Sequence, residues 1–149
     1  MHIQKQVLPW LSVTAISVLI TGCGPSLKSQ CQKLGQAHNT TFNKSMSLKK
    51  PGSLVYDHEQ EKQKAKLWTE SSEKIAKLKL SDSKLKKIQA ELVAAHQQVG
   101  EKTREAADLI PPHNQVNDAL GDQIDQVRNG AMSKIPTAVQ ALTLHCTAR

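Results

Sequence analysis

Apolar residues recur every three or four positions along most of the chain, which is the spacing of one face of an α-helix. The rhythm is clearest between residues 85 and 110, where it is carried by Leu85, Ile88, Leu92, Ala95, Val99, Thr103, Ala106 and Ile110. It continues from residue 116 to residue 146, and weaker stretches cover residues 27–46 and 67–78. The two-residue alternation typical of a β-strand is confined to residues 77–80. The pattern predicts an all-α protein.

Proline, glycine and capping residues divide this pattern into separate helices. Pro51-Gly52 ends the first helix and Pro111-Pro112 ends the long third one, because proline cannot continue a helix. Asp57, Ser81 and Asn114 stand where a side-chain oxygen is expected to cap the helix that follows.

The last apolar stretch contains Gly130 and Pro136, which are expected to bend or split its helix. Short connections favour antiparallel neighbours, so the sequence predicts an antiparallel bundle of about four helices. Three helices, or one elongated hairpin, are the alternatives.

The first 22 residues have the pattern of a signal peptide. The amino terminus and Lys5 supply its positive end, and residues 7–20 supply an apolar stretch that is shorter than the about 20 residues of a membrane-spanning helix. The stretch runs into Ile20-Thr21-Gly22-Cys23, and residues 19–23 resemble the bacterial lipobox. Isoleucine stands where leucine is most usual, and threonine where alanine or serine is. A plain secretory signal cut nearby is the alternative.

The lipobox resemblance implies a bacterial lipoprotein that is cut before Cys23, whose thiol then carries diacylglycerol. Two or three acyl chains, palmitate among them, form a durable anchor because each buried CH₂ contributes about 0.8 kcal/mol. Gly24 rather than aspartate follows the cysteine, which in lipoproteins of double-membraned bacteria usually permits export to the outer membrane. Residues 1–22 are then the signal peptide. Residues 23–149 form one lipid-anchored domain on the cell membrane or outer membrane, facing the periplasm or the cell exterior.

Two further cysteines, Cys31 and Cys146, lie near the two ends of the mature chain. In an oxidising compartment such a pair predicts a disulfide bond, which here would join the first helix to the last. Closing so long a loop would remove unfolded-state entropy worth on the order of 4 to 5 kcal/mol. Two buried free thiols are one alternative and a redox or metal role is another, although neither cysteine belongs to a C-x-x-C motif.

The chain carries a formal net charge of +7, and lysine is concentrated in one segment. The segment contains Lys62, Lys64, Lys66, Lys74, Lys77, Lys79, Lys84, Lys86 and Lys87. Only Glu70, Glu73 and Asp82 oppose these charges between residues 62 and 87. The positive field predicts attraction to an acidic partner protein or to an anionic envelope ligand, such as acidic lipid, lipopolysaccharide or peptidoglycan. A solvated lysine face that keeps the domain soluble is the alternative.

Residues that bind metals or catalyse reactions do not form a convincing motif. Asp118, Asp122 and Asp125 recur at helical spacing, and a solvated acidic face is favoured there over a cation site. His58 lies one turn before Glu61 without a second ligand pair. His38 lies on the apolar stripe of the first helix, and His96 stands apart from the other histidines in the sequence. We predict no catalytic residue, no metal site and no cofactor.

Few aromatic residues follow the signal peptide: only Phe42, Tyr56 and Trp68. This composition favours an aliphatic helical core and argues against nucleic acid as a partner, because bases stack on aromatic side chains. The sequence predicts a non-enzymatic, membrane-anchored interaction or scaffold module whose partners are the membrane and either an envelope protein or an anionic envelope surface. Binding of an anionic ligand through the lysine-rich segment is the second hypothesis, and a small hydrolase or metal carrier is the third.

Overall fold

The structure is a computed structural model that describes residues 25–48 and 56–148. Its helices are α1 (Leu27–Ser47), α2 (His58–Ala76), α3 (Ser83–Leu109), α4 (Asp118–Ala131) and α5 (Ile135–Thr147). These two ranges contain no β-strand, and the all-α prediction is confirmed. The predicted signal peptide, the predicted lipidation site Cys23 and the predicted break at Pro51-Gly52 lie outside the described residues.

The helices form an antiparallel bundle in which α1, α2 and α3 alternate in direction. Helices α4 and α5 follow one another antiparallel to α3, so they act as a single fourth helix that is interrupted at residues 132–134. Pro136 lies in the first turn of α5, where a missing N–H group leaves no hydrogen bond unmade. The predicted bundle of about four helices and the predicted split of the last helix are both confirmed.

Different helix ends meet at the two ends of the bundle. At one end, which we call the base, α1 starts, α2 ends, α3 starts and α5 ends. At the other end, which we call the distal end, α1 ends, α2 starts, α3 ends and α4 starts. The sulfur atoms of Cys31 and Cys146 form a disulfide at the base and close 115 residues of sequence. The predicted staple is confirmed.

The core runs through the bundle as three apolar clusters. All eight residues that define the apolar stripe of α3 are buried. The cluster nearest the base contains Leu34, Ile75, Leu80, Leu85, Ile88, Leu92, Ala138 and Leu142. Trp68, Ala95, Val99 and Ile135 form the middle cluster, and Ala106, Ile110 and Ile124 form the distal one. Burial of this stripe is what drives a helix of such length to pack.

One of the three predicted N-caps is correct. Asp57 caps α2 by accepting from the backbone amide of Gln60 at 2.9 Å. The prediction for Ser81 is wrong, because Asp82 caps α3 while Ser81 bonds to a side chain of α1. The cap of α4 is another asparagine, three residues after the predicted one.

The predicted cap of α4, Asn114, takes part in a different contact. Its backbone adopts a φ of 56°, a left-handed conformation that asparagine tolerates better than most residues. Its Oδ1 accepts from the backbone amide of His58 at 2.9 Å. The prediction for Asn114 is wrong because this side chain satisfies the first turn of α2, while Asn117 caps α4.

Candidate functional site

The base is held together by the buried side chain of Gln30, which is 3% exposed. Its Nε2 donates to Ser81 Oγ at 2.9 Å and to the carbonyl oxygen of Pro25 at 2.7 Å. Its Oε1 accepts from the backbone amides of Ser81 at 2.6 Å and Asp82 at 3.1 Å. One glutamine therefore fixes the start of α1 against the connection between α2 and α3.

The end of α5 is tied to the same junction by two bonds. Its Cys146 forms the disulfide with Cys31 of α1, and its His145 Nε2 donates to Asp82 Oδ1 at 3.0 Å. The amide of Leu85 donates to the same carboxylate oxygen at 2.8 Å. The bond from Leu85, with a smaller contribution from His145, holds the pKa of Asp82 below its ordinary value. The Asp82 carboxylate is thus already hydrogen-bonded to groups within the base.

The structure divides the predicted anion-binding segment between different surfaces. Lys62, Lys64 and Lys66 lie in the first half of α2, toward the distal end. Each of them has a carboxylate oxygen of α2 within 4 Å, the closest being Glu61 Oε1 at 2.8 Å from Lys64 Nζ. The helix therefore compensates part of the positive charge of these three lysines itself.

The positive charge at the base is less compensated. The base lysines are the exposed lysines of residues 26–31 and 77–87, namely Lys28, Lys77, Lys79, Lys84, Lys86 and Lys87. Asp82 is the single acidic residue of these two ranges, and it is half-buried. Within the described part of the chain, no carboxylate lies within 4 Å of a base lysine Nζ. The base therefore presents six lysines and one engaged carboxylate.

The remaining lysine of the segment, Lys74, lies at a groove between α1 and α2 with a volume of about 300 Å³. Lys33 and Lys44 of α1 also line this groove, and no carboxylate does. These two lysines were not predicted as anion-binding residues, because they lie outside the lysine-rich segment. Their separation of eleven residues, which places two residues on the same helical face, was the available signal.

A pocket of about 330 Å³ opens between α1, α2, α3 and α4 in the distal half of the bundle. We call it the distal pocket, and its lining residues are Phe42, Ser45, Met46, Gln60, Glu61, Lys64, Trp68, Val99, Thr103, Arg128, Ala131 and Met132. Phe42 is 38% exposed and Met46 is 63% exposed. Their neighbours Thr41 and Ser45 occupy the buried face of α1 instead. Two large apolar side chains thus border the pocket in contact with solvent.

Three charged residues form the polar part of the distal pocket. The Glu61 carboxylate is 3% exposed, and its Oε1 accepts from Lys64 Nζ and from Arg128 Nη2, both at 2.8 Å. The Arg128 guanidinium also stacks over the ring of Tyr56 at 5.1 Å and lies 3.3 Å from Asp125. A buried carboxylate is costly without a partner, so the two cations are what allow Glu61 to face the core.

His38 and His96 lie together inside the bundle, although 58 residues separate them in sequence. His38 Nδ1 lies 3.0 Å from His96 Nε2, His96 Nδ1 lies 3.0 Å from Ser71 Oγ, and Thr41 Oγ1 donates to Ser71 Oγ at 2.6 Å. The hydrogen bonds of this chain are mutually consistent if Ser71 donates to His96 Nδ1 and His96 Nε2 donates to His38 Nδ1. Folding of α1 onto α3 pairs His96 with His38, a contact that their separation in the sequence does not reveal.

Burial sets the charge state of this histidine pair. It lowers the pKa of His96 to about 4, with a further contribution from His38. Burial also lowers the pKa of His38. The ring of Trp68 meets that of His96 edge-on at 4.7 Å between centroids. The pair is therefore neutral at pH 7 and forms part of the packed core.

The other residues considered for metal binding are separated or engaged elsewhere. His58 Nδ1 is within 3.0 Å of the carbonyl oxygens of Ala107 and Ile110, to which it donates. Asp118, Asp122 and Asp125 are exposed on α4. Residues 25–48 and 56–148 contain no cluster of three or more histidine, cysteine or acidic side chains positioned to hold a metal ion.

Comparisons with known proteins assign no function to these surfaces. No helix within the described ranges has the length and apolar character needed to cross a membrane. No protein-family model, curated protein or solved structure matches this chain.

Proposed function

We propose that this protein is a membrane-anchored envelope lipoprotein whose domain acts as a non-enzymatic interaction or scaffold module. The predicted anchor Cys23 stands three residues before Ser26, the N-cap of α1. Gln30 and Cys31 then join α1 to the other helices of the base. A folded bundle on so short a tether suits a protein that presents a surface at a fixed distance from the membrane.

The distal pocket is the observation that carries the proposal. Phe42 lies 15 residues beyond the first residue of α1, which places it about 22 Å along the helix from the predicted anchor side. Exposed aromatic and methionine side chains are characteristic of protein-binding surfaces. The pocket therefore lies where a second envelope protein reaches it without competing with the membrane.

The anchor is tested by growing cells with labelled palmitate and separating membrane from soluble protein. We expect label in the wild-type protein and loss of both label and membrane association in Cys23→Ser. The double variant Cys31→Ser/Cys146→Ser is the control, since it removes two cysteines and leaves the proposed acylation site intact. Label that persists in Cys23→Ser contradicts the lipoprotein assignment.

The interaction role is tested by placing a photo-crosslinking amino acid at Met46 in cells. Leu144 is the matched control, because it is 62% exposed against 63% for Met46 and lies near the base. We expect a discrete crosslinked protein from position 46 that is absent from position 144. Adducts of the same size and yield from both positions contradict a specific distal binding site.

An anion-binding function is the second candidate, and the uncompensated base lysines favour it. It does not compete with the first proposal, because the base lysines and the distal pocket lie at different ends of the bundle. A lipoprotein is able to use one end for the membrane and the other for a partner.

A further inference from the structure

We propose that the base docks onto acidic phospholipid headgroups of the membrane that holds the lipid anchor. The inference rests on the lipoprotein function proposed above and names the partner of one surface of that lipoprotein. It assigns this contact to the six base lysines and not to the lysines in the first half of α2.

Chain length brings the base close to the membrane. Cys23 and Ser26 are three residues apart, and a fully extended chain spans at most about 11 Å over that distance. The hydrogen bonds of Gln30 carry this restraint from α1 to Ser81 and Asp82. The base is therefore held close to the membrane surface, at a distance little greater than the Debye length, which is about 8 Å at physiological ionic strength. At that range the surface potential of an acidic membrane attracts the lysines of the base.

The charge pattern of the base suits a layer of anionic headgroups. Lys77, Lys79 and Lys84 are exposed around the α2–α3 connection, and Lys28 is exposed in the first turn of α1. The one acidic side chain in this region, Asp82, is bonded within the domain. Lysine is a flexible point charge that lacks the planar fork of arginine, so a row of lysines favours a diffuse anionic surface over one shaped phosphate site.

An acyl anchor and a basic patch reinforce each other. Acyl chains supply insertion, and lysines next to an acidic leaflet add attraction that depends on ionic strength. Docking of the base also orients the bundle, because the distal pocket then points away from the membrane. The lysines of the first half of α2 lie along the side of the bundle and are paired with carboxylates, so they contribute less to this contact.

The test measures co-sedimentation of the mature chain carrying Cys23→Ser with vesicles of phosphatidylcholine alone or mixed with phosphatidylglycerol. We expect binding only to the acidic vesicles, and loss of that binding in about 1 M salt, where the Debye length is about 3 Å. The base variant is Lys77→Gln/Lys79→Gln/Lys84→Gln. Each lysine near an acidic surface changes the partition about fivefold, so this variant is expected to bind about 100-fold more weakly.

Two matched variants separate the base from net charge and from folding. The control is Lys44→Gln/Lys62→Gln/Lys66→Gln, which removes three exposed lysines from the distal half and is expected to bind nearly as the parent does. Replacement of the three base lysines by arginine is expected to retain binding. Equal losses in the base variant and the control, or failure of the parent to bind acidic vesicles, would overturn the proposal.

The two proposals fail in different measurements. Palmitate label at Cys23 without vesicle binding overturns docking of the base and leaves the lipoprotein function standing. Vesicle binding through the base without palmitate label overturns the lipid anchor and leaves the base as an acidic-lipid surface.

Discussion

Acidification is expected to destabilise the protein through the buried pair of His38 and His96. Both imidazoles are enclosed by the core, and His96 is 0% exposed. A protonated His96 would place a positive charge between Trp68 and Ser71. Its Nδ1 would then carry the proton and could no longer accept from Ser71 Oγ. The unfolded chain protonates the same imidazole freely in water, so acid favours the unfolded state.

The shifted pKa of His96 gives the size and the pH range of this effect. The pKa falls from 6.5 in the unfolded chain to about 4 in the folded one. The unfolded state therefore binds the extra proton between these values, and the stabilisation is complete above pH 6.5 and is lost as the pH falls toward 4. The loss is about 2 kcal/mol at pH 5 and about 3 kcal/mol near pH 4. The pKa of Asp82 lies below its ordinary value of 3.8, so the stability that its ionised carboxylate contributes is lost only at lower pH.

Urea unfolding followed by tryptophan fluorescence measures this loss directly. Trp68 is the only tryptophan beyond the predicted signal peptide, and its ring meets that of His96 edge-on. In His96→Gln the amide is able to accept from Ser71 and donate to His38 without titrating. We expect the pH dependence of the free energy of unfolding to fall by more than half in this variant.

The exposed His113 supplies the control. His113→Gln is expected to keep the pH dependence of the parent, because this side chain is exposed and lies outside the core. A wild-type stability that stays constant from pH 7 to pH 5 would refute the reasoning. So would an unchanged pH dependence in His96→Gln.

Four further variants test how the bundle is held together. Cys31→Ser/Cys146→Ser is expected to lower the free energy of unfolding by about 4 to 5 kcal/mol, because 115 residues separate the bonded cysteines. Denaturation with and without reductant measures this loss, and equal unfolding midpoints would contradict it. Gly100→Ala is expected to cost about 1 to 3 kcal/mol, since its new Cβ would lie 2.6 Å from a threonine hydroxyl of α2. Gly130→Ala meets no atom within 4 Å and is expected to stabilise the protein by about 0.4 to 1 kcal/mol, so equal melting temperatures in these two variants would count against close packing of α2 on α3. Glu61→Gln is expected to lower the free energy of unfolding by about 2 kcal/mol. This is less than the loss for a fully buried pair, because the lysine and arginine partners of Glu61 are 23% exposed. Thermal melting at low and high salt measures the loss, and a change below the error of the measurement would contradict the ion cluster.

Local sequence was sufficient where a helix obeys its own periodicity. The stripe from Leu85 to Ile110 predicted the buried face of α3 because each turn of a helix brings the same spacing back to the same side. Pro136 predicted the interruption of the last helix for a similarly local reason, since proline fits only the first turn. The pairing of Cys31 with Cys146 followed from their being the two cysteines left after the predicted anchor.

Contacts between distant segments were decided only by the tertiary structure. Glu61 and Arg128 are 67 residues apart, and no local pattern states that α2 and α4 bring them to one pocket. The histidine pair likewise depends on how α1 lies across α3, and sequence spacing does not fix the rotation of one helix against another. That rotation also places Thr41 and Ser45 inside while Phe42 and Met46 face solvent.

The functional surfaces show the same division between local and tertiary information. The lysine-rich segment was visible in the sequence as composition, because charge along a chain can be counted without a fold. Its separation into compensated lysines on α2 and uncompensated lysines at the base required the helices to be placed, since charges compensate each other through distance in space. The sequence by itself therefore determined that this is a basic, helical, disulfide-stapled domain. Only the tertiary structure decided which end carries the basic surface and which end carries the apolar pocket.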